Sequence, residues 1–196
     1  MAPEHPFPAG LEDSWNAYDW VYDNAAALRI DPARIGVAGD SSGGNFATVT
    51  CLAARDGMVR AMPDVQLLLY PCVDMTGSQP SHAEFAEGYM LTAEMYRWFG
   101  ENYLGDFADA KDWHVSPLFA EDVSGLPPAI ILYAGFDPLR DEAVAYANRL
   151  KGSGVAVETI FFARLIHGFM TMGAVFPDVK TGIGHIRDAF IRLGVA

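Results

Sequence analysis

The sequence predicts an α/β fold, with a parallel sheet of about four strands flanked by helices. Four short apolar runs have the character of strands buried on both faces, and stretches with apolar residues at helical spacing separate them. Strands that alternate with helices along a chain form a parallel sheet covered by those helices. Because 196 residues suffice for one substantial core, we expect residues 1–196 to form a single domain.

The first half of the chain contains two of the strands. A proline-rich arm precedes a helix whose apolar residues recur from Leu11 to Leu28. The run IGVAG (35–39) predicts a buried strand, and the pattern after it predicts a helix from Ser42 to about Arg55. The run VQLLLYP (65–71) predicts the second strand, which its final proline ends.

The second half begins with an irregular region. Residues 73–126 are mixed and aromatic, with one clear helix at 92–104, and this composition predicts a small cap-like insertion over the sheet. The alternation then resumes, and its predicted elements are a strand at 129–135, a helix at 139–154, a strand at 155–162 and a last helix with one apolar stripe from Val179 to Leu193.

Composition excludes several classes of partner. Thirteen basic and twenty-five acidic residues give a net charge of −12, which disfavours nucleic acid and anionic membrane surfaces. The two cysteines, Cys51 and Cys72, have no metal-site spacing, and buried thiols in a reducing compartment explain them better than a disulfide. With no signal-peptide pattern and no apolar run of membrane-spanning length, we expect a soluble, cytoplasmic protein.

The stretch GVAGDSSGGNFA (36–47) contains the pattern G-x-S-x-G centred on Ser41. The pattern follows a strand-like run and opens into a helix, which is the context of a nucleophile elbow. Small residues are needed around the serine because the strained turn leaves no space for larger side chains. The alternative is a glycine-rich helix N-terminus that binds an anion.

A nucleophilic serine needs a base, and the base needs a carboxylate to orient it. Asp137 and His167 both follow predicted strands, where parallel sheets place functional groups, and the order Ser41, Asp137, His167 is that of α/β-hydrolases. Asp141 and Glu142 are interpreted as acids in the first turn of a helix. The histidines without a strand-end position are interpreted as structural or exposed: His5, His82, His114 and His185.

Four segments resemble the hormone-sensitive-lipase family of carboxylesterases, also called bacterial family IV: APEHPFPAGLED, GDSSGGNFA, SPLFAEDVSGLPPAIILYAGFDPLRDEA and IHGF. The resemblance implies that Ser41 is the nucleophile, Asp137 the triad acid and His167 the general base. It implies that the Ser42 N–H is an oxyanion donor and that the substrates are short- to medium-chain esters. No metal or organic cofactor is implied.

The resemblance also implies that residues 80–116 contribute to a cap over the acyl pocket. Four aromatic residues in this region are candidates for contact with substrate, and a packed core is the alternative for each: Phe85, Tyr89, Trp98 and Phe99.

The sequence departs from the family in two respects. The smaller is Arg164, which stands where relatives commonly have glycine and whose charge near His167 would disfavour the imidazolium. The larger is that the sequence has no His-Gly-Gly-Gly stretch, whose glycine N–H groups supply the other oxyanion donors in relatives, so that it resembles the C-terminal two-thirds of a family member. We therefore expect an N-terminally truncated α/β-hydrolase whose strand at 35–39 is an open sheet edge, and an open edge favours a homo-oligomer.

We predict a carboxylesterase that acts through Ser41, His167 and Asp137 by way of an acyl-enzyme and is weakened by the missing motif. One alternative is an esterase with oxyanion donors from a neighbouring protomer or from residues 6–10. Another is a catalytically inactive hydrolase fragment that serves as a binding or assembly module.

Overall fold

In the computed structural model, which describes residues 1–107 and 109–195, four parallel strands form one sheet in the order β1-β2-β3-β4. The strands are β1 (Val37–Asp40), β2 (Gln66–Leu69), β3 (Ala129–Phe136) and β4 (Val157–Ile166). The helices are α1 (Ala9–Asp23), α2 (Ala25–Leu28), α3 (Ser42–Arg55), α4 (Pro80–Glu84), α5 (Ala93–Leu104), α6 (Arg140–Gly152) and α7 (Asp178–Leu193). The prediction of an α/β fold with a four-stranded parallel sheet is confirmed.

Helices cover both faces of the sheet. On β3, Ile131 packs with residues of α3 and α6, whereas Ile130 and Leu132 pack with residues of α7 and the segment before it. This division follows from the two-residue alternation of side chains along a strand. The interior strand β3 is therefore buried on both sides, as its apolar sequence predicts.

The first predicted helix was wrong in extent, because the chain forms α1 and α2 instead of one continuous helix. The break lies at Asn24, whose backbone N–H and side-chain amide both donate to the Trp20 carbonyl, at 3.0 and 2.8 Å. The backbone at Asn24 departs from helical geometry, with φ of −101° and ψ of 13°, and α1 ends there.

The strands of the second half end later than predicted. β3 continues through Phe136 and β4 through Ile166, because the pairing resumes after a register shift and joins these two residues. At the shift, a Cβ on Gly135 would lie 2.1 Å from the Ala163 carbonyl oxygen, so this approach of the two backbones requires glycine. As a result, Asp137 and His167 each directly follow a strand.

Strand β1 lies at an edge of the sheet. The N–H groups of Val37 and Ser41 donate toward β2, to Val65 and Leu69 carbonyls at 2.9 Å each. Because N–H groups alternate in direction along a strand, those of Ala38 and Asp40 face away from β2. The expectation of an edge strand that leads into Ser41 agrees with this topology.

Two helices, α4 and α5, occupy the region predicted as a cap-like insertion. Helix α5 begins one residue after the predicted start because Thr92 is its N-cap, with the hydroxyl accepting from the Met95 N–H at 3.1 Å. Across residues 1–107 and 109–195, no helix is both long and apolar enough to cross a membrane.

Candidate active site

The turn from β1 to α3 holds Ser41 in a strained conformation, with φ of 53° and ψ of −118°. The turn closes so tightly that a Cβ on Gly39 would lie 2.1 Å from the Gly43 carbonyl carbon and oxygen. A Cβ on Gly44 would lie 2.7 Å from the Pro71 Cβ. Only glycine fits at these two positions, and the turn has the geometry of a nucleophile elbow.

The structure brings Ser41, His167 and Asp137 into one hydrogen-bonded chain. The His167 Nε2 atom lies 2.9 Å from the Ser41 Oγ atom, and the His167 Nδ1 atom lies 2.9 Å from Asp137 Oδ2. A carboxylate only accepts, so Nδ1 carries the ring proton and Nε2 is free to accept from the serine hydroxyl. This arrangement can remove a proton from Ser41 as it attacks an electrophile.

The Asp137 carboxylate is fully buried and has a second hydrogen bond that fixes its orientation. Its Oδ1 atom accepts from the Leu139 N–H at 2.8 Å, while the Asp137 carbonyl accepts from the Arg140 N–H at 3.0 Å. Together these bonds close a tight turn after β3. Asp137 therefore presents only its other carboxylate oxygen to His167.

Tyr70 supports the histidine from the side of β2. Its ring meets the His167 imidazole edge to face, with centroids 4.9 Å apart, and the residue has a positive φ of 37°. Burial raises the pKa of the Tyr70 hydroxyl, so the ring stays neutral at physiological pH. Sequence reasoning missed this residue, because its contact with His167 joins two distant parts of the chain.

The proposed oxyanion donor, Ser42, is the first residue of α3. The N–H groups of a helix's first turn have no acceptor inside the helix, and the helix dipole favours negative charge there. The position of the Ser42 N–H directly after the nucleophile is therefore suited to an oxyanion, and its role stays a prediction.

Two of the four predicted aromatic residues lie beside the end of β3. The Tyr89 ring stacks on Phe136 with centroids 5.2 Å apart, and Phe136 immediately precedes Asp137. Phe85 packs edge-on against both rings and lies under the Arg140 guanidinium, 4.8 Å from its ring centroid. Phe85 is 5% exposed, so the packing alternative describes its environment well, whereas Phe136 is 37% exposed.

The other two aromatic residues lie on α5. Trp98 and Phe99 are 55% and 50% exposed, and their rings contact each other with centroids 5.2 Å apart. Their predicted role in substrate binding stays a prediction. A residue that the sequence did not indicate, Met90, approaches the loop after His167, where its Cε atom would lie 3.8 Å from a Cβ on Gly168.

A second group of buried polar residues lies under α4. His82 is 9% exposed, as a structural histidine should be, and its Nε2 atom lies 2.8 Å from Glu142 Oε2. Glu142 is in the first turn of α6 as predicted, but it is fully buried, and burial raises its pKa to about 7. The signal for burial was its spacing, because Glu142 shares an apolar helix face with Tyr146 and Leu150.

The comparison with protein families agrees with this geometry. The family model described as the alpha/beta hydrolase fold matches residues 1–171. The chain belongs to this family. The expectation of an α/β-hydrolase related to the hormone-sensitive-lipase esterases is thereby confirmed.

Several characterised members of the α/β-hydrolase family are similar over most of this chain. Carboxylic ester hydrolase LipN of Mycobacterium tuberculosis is 43% identical over 88% of the chain and 47% of the relative, and the ethyl acetate hydrolase of Pseudomonas putida is 37% identical over 96% and 59%. A hyperthermophilic esterase from the archaeon Pyrobaculum calidifontis superposes with a TM-score of 0.93 at 40% identity, covering 100% of this chain and 63% of that one. The chain spans about half to three-fifths of the length of these relatives.

Proposed function

We propose that this α/β-hydrolase is a serine carboxylesterase that hydrolyses short- to medium-chain carboxylic esters through an acyl-enzyme. The observation that carries the proposal is the chain of hydrogen bonds from Ser41 through His167 to Asp137. Two further findings support it: the strained elbow that exposes the serine between a strand and a helix, and the ester-hydrolase activity in the names of the relatives.

The reaction follows from the positions of these groups. The Ser41 oxygen attacks the ester carbonyl carbon while its proton passes to His167 Nε2, and the buried Asp137 carboxylate stabilises the imidazolium that forms. The imidazolium then protonates the departing alcohol, leaving an acyl group on Ser41. Water attacks this acyl group and gives a proton to His167, which passes it to the Ser41 oxygen as the bond between the acyl carbon and that oxygen breaks and the carboxylic acid leaves.

The negative charge on the tetrahedral intermediate needs hydrogen-bond donors. We assign one to the Ser42 backbone N–H, and the loss of one such donor typically lowers turnover about 10²–10³-fold. The segment 6–10 is less suited to supply another, because the Phe7 N–H donates to the Tyr103 carbonyl and the Ala9 N–H to the Pro6 carbonyl.

The substrate surface is assigned to the aromatic cluster beside Asp137. The exposed part of Phe136 and its stacked neighbour Tyr89 offer an apolar surface at the end of β3, directly before Asp137 in the chain, and Phe85 supports it from beneath. Trp98 and Phe99 on α5 remain candidates for contact with longer acyl chains. Arg140, which lies over Phe85, is paired with Glu84 and Asp141, so the aromatic rings are left to contact the apolar part of an uncharged ester.

Hydrolysis of p-nitrophenyl acetate by the purified chain tests the proposal. We expect turnover by the wild type and none above background by Ser41→Ala. Ser153→Ala is the matched control, because Ser153 is an exposed serine just after α6, and this variant should retain the wild-type rate. Equal rates for the wild type and Ser41→Ala would refute the esterase proposal and favour the inactive binding module.

A second candidate function is assembly through the open edge of β1. We propose that this edge pairs with a second copy of the chain, since the outward N–H groups of Ala38 and Asp40 form a ready site for another strand. Ala38→Pro removes one outward donor and leaves the bonds to β2 in place. Sedimentation at micromolar concentration should show an oligomer for the wild type and for Ala38→Ser, and a monomer for Ala38→Pro; a monomeric wild type would refute the assembly.

A cytoplasmic location is also proposed. Its support is that Cys51 and Cys72 are both buried free thiols, as expected in a reducing compartment.

A further inference from the structure

Ser81, on helix α4, makes three hydrogen bonds to the turn that follows Asp137. Its hydroxyl donates to the Pro138 carbonyl at 2.6 Å and accepts from the Asp141 N–H at 3.1 Å, and its own N–H donates to Asp141 Oδ2 at 3.0 Å. The Ser81 side chain is fully buried. One side chain from the region 73–126 thus binds both ends of a turn that lies almost sixty residues away.

This turn determines where the Asp137 carboxylate points. The Leu139 N–H holds one carboxylate oxygen, and the Arg140 N–H holds the Asp137 carbonyl. Both donors lie between Pro138 and Asp141, the two residues that Ser81 binds. A shift of the turn would therefore move the Asp137 oxygen that lies 2.9 Å from His167 Nδ1.

The residue next to Ser81 makes a second, parallel connection. His82 binds one oxygen of Glu142, and the other oxygen accepts from the Val73 and Asp74 N–H groups at 2.6 and 3.2 Å. Two consecutive residues of α4 are thereby joined to two consecutive residues of α6. This second connection fixes α4, so Ser81 has a rigid base from which to hold the turn.

We propose that Ser81 is a positioning residue for the triad acid, holding the turn 138–141 so that Asp137 stays aligned with His167. The catalytic meaning of this role rests on the proposed esterase function, whereas the alignment itself does not. Ser81 touches neither the substrate nor the reacting atoms, so it acts only through Asp137. If Ser81 served the stability of the fold alone, its loss would lower activity in the same way with or without Asp137.

A double-mutant cycle separates these two roles. We expect Ser81→Ala to lower kcat for p-nitrophenyl acetate about 10- to 100-fold with KM within about twofold of the wild type, since small misplacements of catalytic groups have effects of this size. In an Asp137→Asn background the same change should cost nothing further. An unchanged kcat, or an equal loss in both backgrounds, would overturn the proposal.

The matched control is Ser78→Ala. The Ser78 hydroxyl lies in the same region and donates to Asp74 at 2.6 Å, but it makes no hydrogen bond to the turn 138–141. This variant should keep the wild-type kcat. Should Ser81→Ala fail to fold, Asp141→Ala takes its place in the cycle, because it removes the acceptor of the Ser81 N–H and leaves the serine hydroxyl intact.

A spectroscopic measurement keeps the inference independent of turnover. In ¹⁵N-labelled protein, the His167 Nδ1 proton is protected from exchange with water while Asp137 accepts it. Its resonance should persist in the wild type and Ser78→Ala and broaden or disappear in Ser81→Ala. A wild type that keeps this resonance without hydrolysing the ester would refute the esterase proposal alone, whereas an intact resonance in Ser81→Ala would refute the positioning role.

Discussion

Strands β1 and β3 carry opposite ends of the same hydrogen-bonded chain, yet they are held in different ways. β3 is eight residues long, buried almost throughout and paired on both sides, and it leads into Asp137. β1 is four residues long, paired on one side, with every second residue exposed, and it leads into Ser41. The Asp137 end of the site is supported by strands on both sides of β3 and by α4, whereas β1, which leads into Ser41, has a neighbouring strand on one side only.

Two kinds of constraint position the side chains of the candidate site. Asp137 is aligned by three hydrogen bonds, which it accepts from the Leu139 N–H, the Arg140 N–H and His167. The Ser41 backbone is held by hydrogen bonds with Leu69, Asn45 and Cys72 and also by steric exclusion inside the elbow, where Gly39 and Gly44 let the backbone of α3 approach β1 and Pro71. Substitutions at the Ser41 end and at the Asp137 end of the site test this difference.

Gly39→Ala should break the nucleophile end. A Cβ there would lie 2.1 Å from backbone atoms of Gly43, which no rotamer change relieves, so we expect a loss of about 4 kcal/mol of unfolding free energy together with esterase activity. Urea denaturation measures the loss. Gly152→Ala at the end of α6 is the control, since nothing lies within 4 Å of its Cβ; a similar loss there, or none at Gly39, would contradict the steric account.

Leu132→Ala and Leu69→Ala compare the interior strand β3 with β2, which lies beside the edge strand β1. The two residues are paired in the β2–β3 register, so they occupy equivalent positions along the strands. Leu132 is fully buried, and its truncation should cost about 3 kcal/mol of unfolding free energy. Leu69 is only half-buried beside β1, so its truncation should cost about 1 kcal/mol. Equal midpoint shifts in urea denaturation would mean that the β1 side is as well packed as the interior.

The pH dependence of the unfolding free energy tests the burial of Glu142 beside the turn that follows Asp137. Burial raises the pKa of Glu142 from 4.5 to about 7, so the folded state holds a proton that the unfolded state releases. The resulting stabilisation is complete below about pH 4.5 and disappears as the pH rises through about 7. Between about pH 5 and pH 7, the unfolding free energy of the wild type should fall by about 2 kcal/mol relative to Glu142→Gln.

His82 and Asp74 are the ionisable groups that face Glu142, and both are present in the wild type and in Glu142→Gln. Because Glu142 shares a hydrogen bond with His82, the difference between the two pH profiles reports on this pair. Parallel profiles for the two proteins would show that Glu142 does not exchange its proton in this range.

Local sequence patterns were sufficient to predict the sheet and the three central residues of the site. The strands are apolar runs, and Ser41 lies in a spaced glycine motif, so each is visible within a short stretch of sequence. Asp137 and His167 were then chosen because each follows a predicted strand, in the order that α/β-hydrolases have. The exact ends were not predictable, because β3 and β4 continue through a register shift that depends on their contact with each other.

The supporting residues could not be predicted in the same way. Ser81 and Tyr70 act through contacts with residues about 60 and 97 positions away, at Asp141 and His167, and no local pattern records such contacts. The spacing of Glu142 with Tyr146 and Leu150 indicated its buried face, but its hydrogen-bond partners, His82 and the 73–74 backbone, come from distant parts of the chain and were not predictable.

Covalent capture of Ser41 tests directly whether its side-chain oxygen is the nucleophile. The Ser41 oxygen should attack an activated p-nitrophenyl phosphonate ester at phosphorus and release nitrophenolate, leaving a stable phosphonyl group that does not depend on the later hydrolysis step. Intact-protein and peptide mass spectrometry should find one phosphonyl group per chain on Ser41, a slower reaction in Asp137→Asn, and none in Ser41→Ala. An unmodified wild type, or an equally modified Ser41→Ala, would contradict the assignment of Ser41 as the nucleophile.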